Sequence, residues 1–273
     1  MAGTELLAVS RLDVDASHES LVLSTAAHWN QTRADWRFFL SKGIVFGVRD
    51  PDGQLLGTAA LLPYSAGNAW ISMVLVTAAW RRRGLATRLV DACLSEARTR
   101  DLTTWLDATP AGAAVYGPLG FEPVSGLRRL RRAAVSGRRL SFAACDLDDF
   151  AARDLKAIGF DRRDLLAALA GRDGSQLIAH GTAMALVRDG RTARHVGPIF
   201  ADHSDDALAL VEAIATRETG PLLLDAVAEQ DDFVRVLTTN GWTIERPFQR
   251  MRFGRALPQA VEPPFAVAGP EYG

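Results

Sequence analysis

The sequence predicts an α/β protein with a mixed (α+β) sheet, arranged as two domains in tandem. At 273 residues the chain is longer than one average domain and suits two. Hydrophobic residues switch repeatedly between extended and helical spacing, and a similar order of elements occurs twice along the chain. We expect a first domain over residues 1–135, a smaller second domain over residues 136–256, and a proline-containing C-terminal tail over residues 257–273 on the surface.

Composition and charge exclude several classes of protein. Hydrophobic residues make up 48% of the chain and charged residues 23%, which is ordinary for a globular protein. A formal net charge of −1 argues against a nucleic-acid-binding protein, which needs a basic surface. No apolar run approaches the roughly 18–20 residues that span a bilayer. The N-terminus has no basic segment followed by a long apolar one, so we expect a cytoplasmic protein.

The cysteines and histidines do not have the spacing of metal ligands. Cys93 and Cys145 lie far apart and read as buried small hydrophobic residues in a reducing compartment. The five histidines also lack such a spacing. We therefore expect no metal cofactor.

The first half begins with a helix and three antiparallel strands. Thr32 and Asp35 form a capping-box pattern at a helix start. Pro51-Asp52-Gly53 predicts a turn, because proline fixes φ and glycine supplies a positive φ. The predicted elements are a helix over 32–40, strands over 43–50, 55–62 and 70–76, a helix over 84–99, a strand over 103–107, a short helix over 113–116 and an extended segment from 121.

The second half repeats this pattern in shorter form. Asp189-Gly190 is a strong hairpin signal between two extended runs. The predicted elements are a helix over 161–169, strands over 176–188 and 191–200, a helix over 205–216, a strand over 222–227, a helix over 232–238 and an extended segment over 243–253. The matching order predicts a degenerate structural duplication.

Six arginines lie between the two halves. They are Arg128, Arg129, Arg131, Arg132, Arg138 and Arg139. Such a run is compatible with a nucleic-acid patch, but the balanced total charge favours a solvated strand and linker. A further alternative is that some of these arginines face an anionic cofactor.

The most informative segment is the loop that joins the third strand to the long helix. It reads Arg81-Arg82-Arg83-Gly84-Leu85-Ala86-Thr87. Free N–H groups and the positive dipole end at a helix start bind anions, and small residues let a ligand approach the backbone. A Walker loop needs Gly-Lys-Ser/Thr, which is missing here. A dinucleotide fingerprint needs the three glycines of G-x-G-x-x-G, which are also missing. The loop predicts a pyrophosphate site; the alternative is an exposed basic turn before an amphipathic helix.

A second motif follows in the same half. Residues 106–112 are followed by Val115-Tyr116-Gly117-Pro118-Leu119-Gly120-Phe121. With Arg81-x-x-Gly84-x-Ala86, this order resembles the GNAT acetyltransferase superfamily, in which [Q/R]-x-x-G-x-[G/A] opens the cofactor helix and a tyrosine precedes Gly-Phe. The resemblance covers about residues 5 to 133. Residues 29–36 and 106–112 further resemble a tandem-domain subgroup, which implies a GNAT fold followed by a smaller, degenerate GNAT-like domain.

The resemblance implies acetyl-CoA as the acyl-donor co-substrate. Its pyrophosphate would lie on the backbone N–H groups of residues 82–87. Its pantetheine arm would add like a short strand to residues 74–76, one of whose N–H groups would hold the oxyanion. The residues implied in cofactor binding are Val74, Leu75, Val76, Arg81, Arg82, Arg83, Gly84, Leu85, Ala86 and Thr87.

The resemblance also gives Tyr116 a catalytic role. It would protonate the departing CoA thiolate, and the pKa of a phenol, about 10, lies above that of a thiol, about 8.5. Without the cofactor loop, Tyr116 would be interpreted as a half-buried aromatic residue on a short helix.

The residues predicted to bind the acceptor amine follow a less specific pattern than those predicted to bind the cofactor. A general base must keep the attacking amine neutral, and Asp35 and Asp107 are the candidate carboxylates. Each is also suited to capping a helix or pairing with an arginine, and the tryptophans are also suited to core packing. The candidate acceptor-site residues are Trp29, Asn30, Gln31, Asp35, Trp36 and Asp107.

The equivalent loop of the second half has the opposite charge. It reads Ala201-Asp202-His203-Ser204-Asp205-Asp206. Carboxylates favour a helix start but repel a pyrophosphate. We expect that the second domain does not bind CoA, so that each chain has one active site.

These observations predict an N-acetyltransferase that moves the acetyl group of acetyl-CoA to a primary amine of a small molecule by direct attack. The chain would act as a monomer or homodimer, with no nucleic-acid or membrane partner. One alternative is a non-catalytic acyl-CoA-binding or regulatory module. Another is an acetyltransferase acting on a protein N-terminus or lysine.

Overall fold

A computed structural model describes residues 7–134, 137, 141–256 and 262–273. This part of the chain contains twelve β-strands and eight α-helices, as the mixed α/β pattern predicts. The strands are β1 Val9–Leu12, β2 Ile44–Arg49, β3 Leu55–Tyr64, β4 Asn68–Val76, β5 Thr103–Ala108, β6 Glu122–Arg132, β7 Ala143–Ala144, β8 Gln176–His180, β9 Ala183–Arg188, β10 Arg194–Phe200, β11 Leu222–Val227 and β12 Thr243–Phe253. The helices are α1 Ser17–Ala26, α2 Arg33–Lys42, α3 Leu85–Thr99, α4 Pro110–Tyr116, α5 Leu147–Ile158, α6 Arg163–Ala170, α7 Ser204–Arg217 and α8 Asp231–Thr239.

The chain divides into two compact units. The first contains residues 1–63 and 67–104, and the second contains residues 64–66 and 105–273. In the first unit, β1 to β4 lie side by side in chain order, and the β1–β2 and β2–β3 pairs are antiparallel. The domain boundary after residue 135 stays a prediction.

Helices α2 and α3 form as their sequences predict. Thr32 and Asp35 make the reciprocal hydrogen bonds of the expected capping box at the start of α2. The apolar face of α3 contributes the buried side chains Leu85, Leu89, Val90, Cys93 and Leu94. This face anchors α3, and with it the loop that precedes the helix.

The second unit interleaves strands from the two halves of the sequence. Its strand order is β5-β12-β6-β11-β10-β9-β8-β7. Strand β12, from the second half, lies between β5 and β6, and β6 pairs antiparallel with both β12 and β11. The final strands of the two halves are therefore exchanged within this unit.

One strand prediction in the second half is wrong. The single strand over 176–188 is a hairpin of β8 and β9, with a turn at Gly181 and Thr182. Gly181 has a φ of +60°, a conformation that glycine adopts readily. The hairpin predicted at Asp189-Gly190 is present, since β9 and β10 pair antiparallel across it.

Two helices have no counterpart in the sequence-based assignment. The buried face of α1 consists of Ser17, Ser20, Leu23 and Ser24, so it lacks the apolar periodicity that marks a helix. Helix α5 buries Phe150, Asp154 and Ala157, again with few large apolar residues. Small polar residues on a buried face conceal such helices from sequence analysis.

The arginine run is not a solvated face. Three of its members form ion pairs, which are Arg129–Asp225, Arg131–Glu245 and Arg132–Glu212. The side chain of Arg129 is only 7% exposed, because β6 is a central strand of the second unit. Residues 138 and 139 lie outside the described residues.

The C-terminal segment is not a surface tail. Among its described residues, the buried side chains include Phe265, Ala266, Val267, Ala268, Glu271 and Tyr272. The prolines suggested a tail on the surface, but the apolar run at 265–268 gains more from burial than from exposure. Residues 257–261 lie outside the described residues.

Candidate functional site

The start of α3 has the geometry of an anion site. Gly84, the N-cap residue, has a φ of +77° and supplies no side-chain cap, and the first turn of the helix holds no acidic residue. Arg82 has a φ of +60°, so two left-handed residues flank Arg83. Backbone N–H groups in such alternating conformations form a concave surface that binds anions.

The three guanidinium groups of this loop are available to a ligand. Arg81, Arg82 and Arg83 are exposed, and none of them forms an ion pair within the part of the chain that the structure describes. Arg81 Nε donates to the carbonyl of Val76, and Arg83 lies over the Trp80 ring. The loop therefore joins three unneutralised positive charges to an uncapped helix start.

Strand β4 has an irregular backbone before this loop. Met73 has a φ of +53°, which is rare for a non-glycine residue and marks a local break in regular strand geometry. The buried Thr58 hydroxyl donates to the Met73 carbonyl at 2.8 Å. Two further hydroxyls nearby in sequence, Ser72 Oγ and Thr77 Oγ1, are buried without a hydrogen-bond partner among the described residues. This strand thus has unused polar groups on the segment that leads into residues 81–87.

Tyr116 ends helix α4 in the second compact unit. Its half-buried ring lies 6.0 Å from that of Phe121, which in turn contacts Phe253 of β12. Gly120, with a φ of +94°, gives the turn between Tyr116 and Phe121. A Cβ on Gly112 would lie 3.0 Å from the Tyr116 ring. Glycines on both sides therefore allow the tyrosine to take this position.

Asp107 is held in an ion pair. Its side chain is fully buried at the end of β5, and both oxygens accept hydrogen bonds at 2.9 Å from Arg250 of β12. Burial raises the pKa of Asp107 against the lowering effect of the Arg250 guanidinium. Its observed role is to pair with an arginine, and a role as general base stays a prediction.

Two acceptor-site candidates have structural roles in the first unit. The fully buried Asp35 accepts from the N–H and hydroxyl of Thr32 in the capping box. The indole N–H of Trp36, also fully buried, donates to Ser24 Oγ at 2.9 Å. Contact of either residue with a ligand stays a prediction.

Gln31 differs from these two residues. It is buried, and within the described part of the chain its Oε1 accepts no hydrogen bond. An unpaired buried amide oxygen is costly, so a ligand or water is expected beside it. Trp29 and Asn30 precede it in sequence, and Asn30 is buried as well.

The corresponding helix start in the second half is occupied by acidic residues. Asp205 and Asp206 lie in the first turn of α7, and Asp206 accepts a hydrogen bond from Thr182. Asp202 pairs with Arg153 at 2.7 Å. The loop therefore stabilises its own helix and presents negative charge.

Comparison with known proteins assigns a family to both halves. A model described as "Acetyltransferase (GNAT) family" matches residues 15–121, and one described as "Acetyltransferase (GNAT) domain" matches residues 151–266. The chain belongs to the GNAT superfamily. It carries two GNAT domains, which makes it a tandem member and an acyltransferase.

Relatives of this GNAT protein resemble it over most of their length. It is 26% identical over 205 residues to YitH of Bacillus subtilis, named an uncharacterized N-acetyltransferase, with 71% of this chain and 72% of YitH covered. An acetyltransferase candidate from Pyrococcus horikoshii has a TM-score of 0.82 at 20% identity, covering 100% of this chain and 98% of its own. A tandem GNAT protein from the clavulanic acid biosynthesis pathway, solved without AcCoA, has a TM-score of 0.63 at 15% identity, covering 92% and 100%. At these identities the solved structures show the fold alone.

A buried polar network in the second compact unit was not predicted from the sequence. Asp225 of β11 accepts hydrogen bonds from Arg129 at 2.8 and 2.9 Å and lies 3.0 Å from His195 Nε2. Although burial alone would raise it, the Arg129 charge and the His195 contact hold the pKa of Asp225 well below its usual range. These residues lie far apart in sequence, so no local motif reveals them.

The described residues form neither a cluster of metal ligands nor a membrane-spanning helix. No group of three or more His, Cys, Asp or Glu side chains there is arranged to hold a metal ion. No helix among them is both long and apolar enough to cross a membrane.

Proposed function

We propose that this GNAT protein transfers the acetyl group of acetyl-CoA to a primary amine of a small molecule by direct attack. A C–N bond forms as the C–S bond breaks, the amine loses a proton, and the sulfur gains one. The observation that carries the proposal is the start of α3, where a helix without a side-chain cap follows β4 and three arginines form no ion pair among the described residues.

The donor set of this loop fits a pyrophosphate group. The N–H groups of residues 82–87 would bind the phosphate oxygens, and the helix dipole would favour their negative charge. The arginines 81–83 would neutralise the remaining charge, since guanidinium groups bind phosphate in a planar, two-point geometry. Gly84 would let the phosphates approach the backbone. A Cβ at this position would meet no atom within 4 Å, so the absence of a side chain leaves that space open to a ligand.

In the proposed reaction, residues of β4 stabilise negative charge and a residue of α4 donates a proton. A backbone N–H of residues 74–76 would hold the negative charge that develops on the thioester oxygen. Tyr116 would donate its phenolic proton to the departing sulfur. The amine would attack while held in place, and this positioning supplies much of the rate enhancement.

The cysteines support direct attack over an acetyl-cysteine intermediate. Cys93 is fully buried in α3, and burial raises the pKa of its thiol. Burial and the neighbouring Asp149 also raise the pKa of Cys145. Since the thiolate is the nucleophile, neither thiol is activated for covalent catalysis.

Unpaired buried polar groups of the first unit support a small polar acceptor. Gln31 Oε1, Ser20 Oγ and Ser72 Oγ are enclosed without partners among the described residues. Enclosed polar groups suit a small amine that can enter a pocket, whereas a protein N-terminus or lysine needs an open groove. Trp29 and Asn30 would contribute to the same acceptor site, with Asp35 and Trp36 supporting α2 behind it.

An amine panel tests this function. The protein is incubated with acetyl-CoA and a broad set of primary amines, free thiol is measured, and acetyl-CoA binding is measured by calorimetry. We expect thiol release that depends on a small amine and yields an equal amount of acetylated product. Binding of acetyl-CoA with no transfer to any amine would support a non-catalytic module instead, and transfer only to peptides would support a protein acetyltransferase.

A further inference from the structure

Strands β10 and β11 of the second GNAT domain separate soon after they begin. They pair in parallel only at Arg194–Leu222 and His195–Leu223. Farther along, Ile199 of β10 and Ala226 of β11 each form an antiparallel bridge to Ala266. The C-terminal segment therefore lies in the opening between the two strands.

Four main-chain hydrogen bonds hold the segment on both sides. Toward β10, the N–H of Phe265 donates to Ile199, and the N–H of Ile199 donates to Ala266. Toward β11, the N–H of Val267 donates to Asp225, and the N–H of Val227 donates to Phe265, with all four bonds at 2.9–3.1 Å. The opening is thus filled by peptide backbone that pairs like a short strand.

Side chains fix the segment firmly in place. Phe265 packs edge-to-face on Phe233 at 5.2 Å, and Val267 is fully buried. Farther along, the buried Arg188 donates to the carbonyl of Ala268 at 2.9 Å and to Glu271 at 3.0 Å. A segment with this many buried contacts is part of the folded core and not an adjustable flap.

The backbone of β10 is shaped to admit this segment. A Cβ on Gly197 would lie 2.3 Å from the carbonyl oxygen of Val267, closer than any side chain permits. The pairing of β10 with β9 also shifts register between Val196 and Ile199, at the same place. The strand therefore has a glycine where the segment approaches most closely.

This opening corresponds to the proposed acyl-donor position in the first domain. Strand β4 precedes the arginine loop and α3, and β10 precedes the acidic loop and α7. We propose that residues 262–273 are a built-in occupant of the second domain, taking the place along β10 that the pantetheine arm takes along β4. The comparison rests on the proposed function for β4. The second domain is then closed to acyl-CoA by its own chain. Its acidic loop also repels the phosphates of acyl-CoA.

Hydrogen exchange on the full chain tests the occupancy directly. The amides of Phe265 and Val267 should exchange as slowly as those of the β9–β10 pair, with or without saturating acetyl-CoA. Exchange typical of an exposed tail, or release of protection when acetyl-CoA is added, would overturn the proposal. The measurement without acetyl-CoA does not depend on the proposed function.

A pair of glycine variants probes the close approach. Gly197→Ala should raise exchange at Phe265 and Val267 by about tenfold or more, because the new Cβ collides with the Val267 carbonyl. Gly220→Ala is the matched control, since a Cβ there meets nothing within 4 Å. Equal exchange in the two variants would contradict a tightly seated segment.

A charge variant distinguishes the effect of the C-terminal segment on acyl-CoA binding from the effect of the acidic loop. The triple variant Asp202→Asn, Asp205→Asn, Asp206→Asn removes the repulsion and leaves the segment intact. We expect calorimetry to show one acetyl-CoA per chain, as for the unaltered protein. Two per chain in the triple variant would overturn the proposal, whereas no binding to either protein would contradict the proposed function and leave the exchange measurements to decide on the segment.

Discussion

Arg250 of β12 and Asp107 of β5 form a two-point ion pair across a strand contact that joins distant parts of the sequence. The two N–O distances are 2.9 Å, the Asp107 side chain is fully buried, and the Arg250 side chain is 12% exposed. Strand β5 belongs to the first half and β12 to the end of the second half. The pair thus secures the strand exchange that builds the second compact unit.

Removing the cation from this pair should destabilise the protein strongly. Arg250→Met retains the length of the side chain but leaves the buried Asp107 carboxylate without its partner, which costs about 3–5 kcal/mol. Urea unfolding gives the change in free energy. Arg235→Met is the control, because its pair with Asp232 is exposed and such pairs contribute about 0–1 kcal/mol. Equal losses for the two variants would contradict a structural role for the Arg250 pair.

Protein stability should fall with pH below about 6.5. Burial and the positive charge of Arg188 lower the pKa of His195. As the pH falls below about 6.5, His195 therefore binds a proton more readily in the unfolded chain than in the folded one, which favours unfolding. The lowered pKa of Asp225 has the same sign: its stabilisation is complete above the unfolded value of about 3.9 and is lost as pH falls below it.

Unfolding free energies measured from pH 8 to 5 test the histidine contribution. His195→Gln should reduce the slope between about pH 6.5 and 5 by up to about 1.4 kcal/mol per pH unit. An identical slope in the His195 variant would show that this residue does not sense pH.

Sequence patterns predicted the elements whose buried faces are apolar. Helices α2 and α3 have recognisable caps or a regular apolar stripe, and β12 was predicted at its observed bounds. Helix α1 escaped prediction because it buries serines. The strand exchange and the pairing of Arg129 with Asp225 also escaped, since they depend on contacts between residues that no local periodicity connects.

The candidate site was predictable to a similar degree. Gly84 and the arginines beside it form a local motif, and the structure adds the left-handed φ values and the missing cap. The partner of Asp107 was not predictable, because Arg250 is distant in sequence. The apolar run at 265–268 was hidden by the prolines around it.

A carboxylate at the start of α3 should stabilise the helix but weaken cofactor binding. Gly84→Asp caps the helix and favours its dipole, and aspartate tolerates a positive φ. The same charge should weaken acetyl-CoA binding about tenfold or more by repelling the phosphates. Gly53→Asp is a matched control, with a φ of +85° and open space around its Cβ. Equal acetyl-CoA affinities in the two variants, measured by calorimetry, would place the pyrophosphate elsewhere.

Direct attack predicts no acetylated enzyme. Acetyl-CoA without an amine should release no burst of thiol, and intact-protein mass should show no added acetyl group. The double variant Cys93→Ala, Cys145→Ser should retain kcat. A burst equal to the protein concentration, abolished in the double variant, would establish a cysteine intermediate instead.

Turnover by Tyr116→Phe at saturating substrates tests acetyl transfer by this chain most directly. We expect kcat to fall by a factor of about 100 or more while the Kd for acetyl-CoA is unchanged, because only the proton donor is lost. Tyr64→Phe is the control: the hydroxyl of this half-buried residue donates to the Tyr272 carbonyl at 2.8 Å, so its loss should cost about 1 kcal/mol of stability and leave kcat intact. An unchanged kcat in Tyr116→Phe would contradict the account.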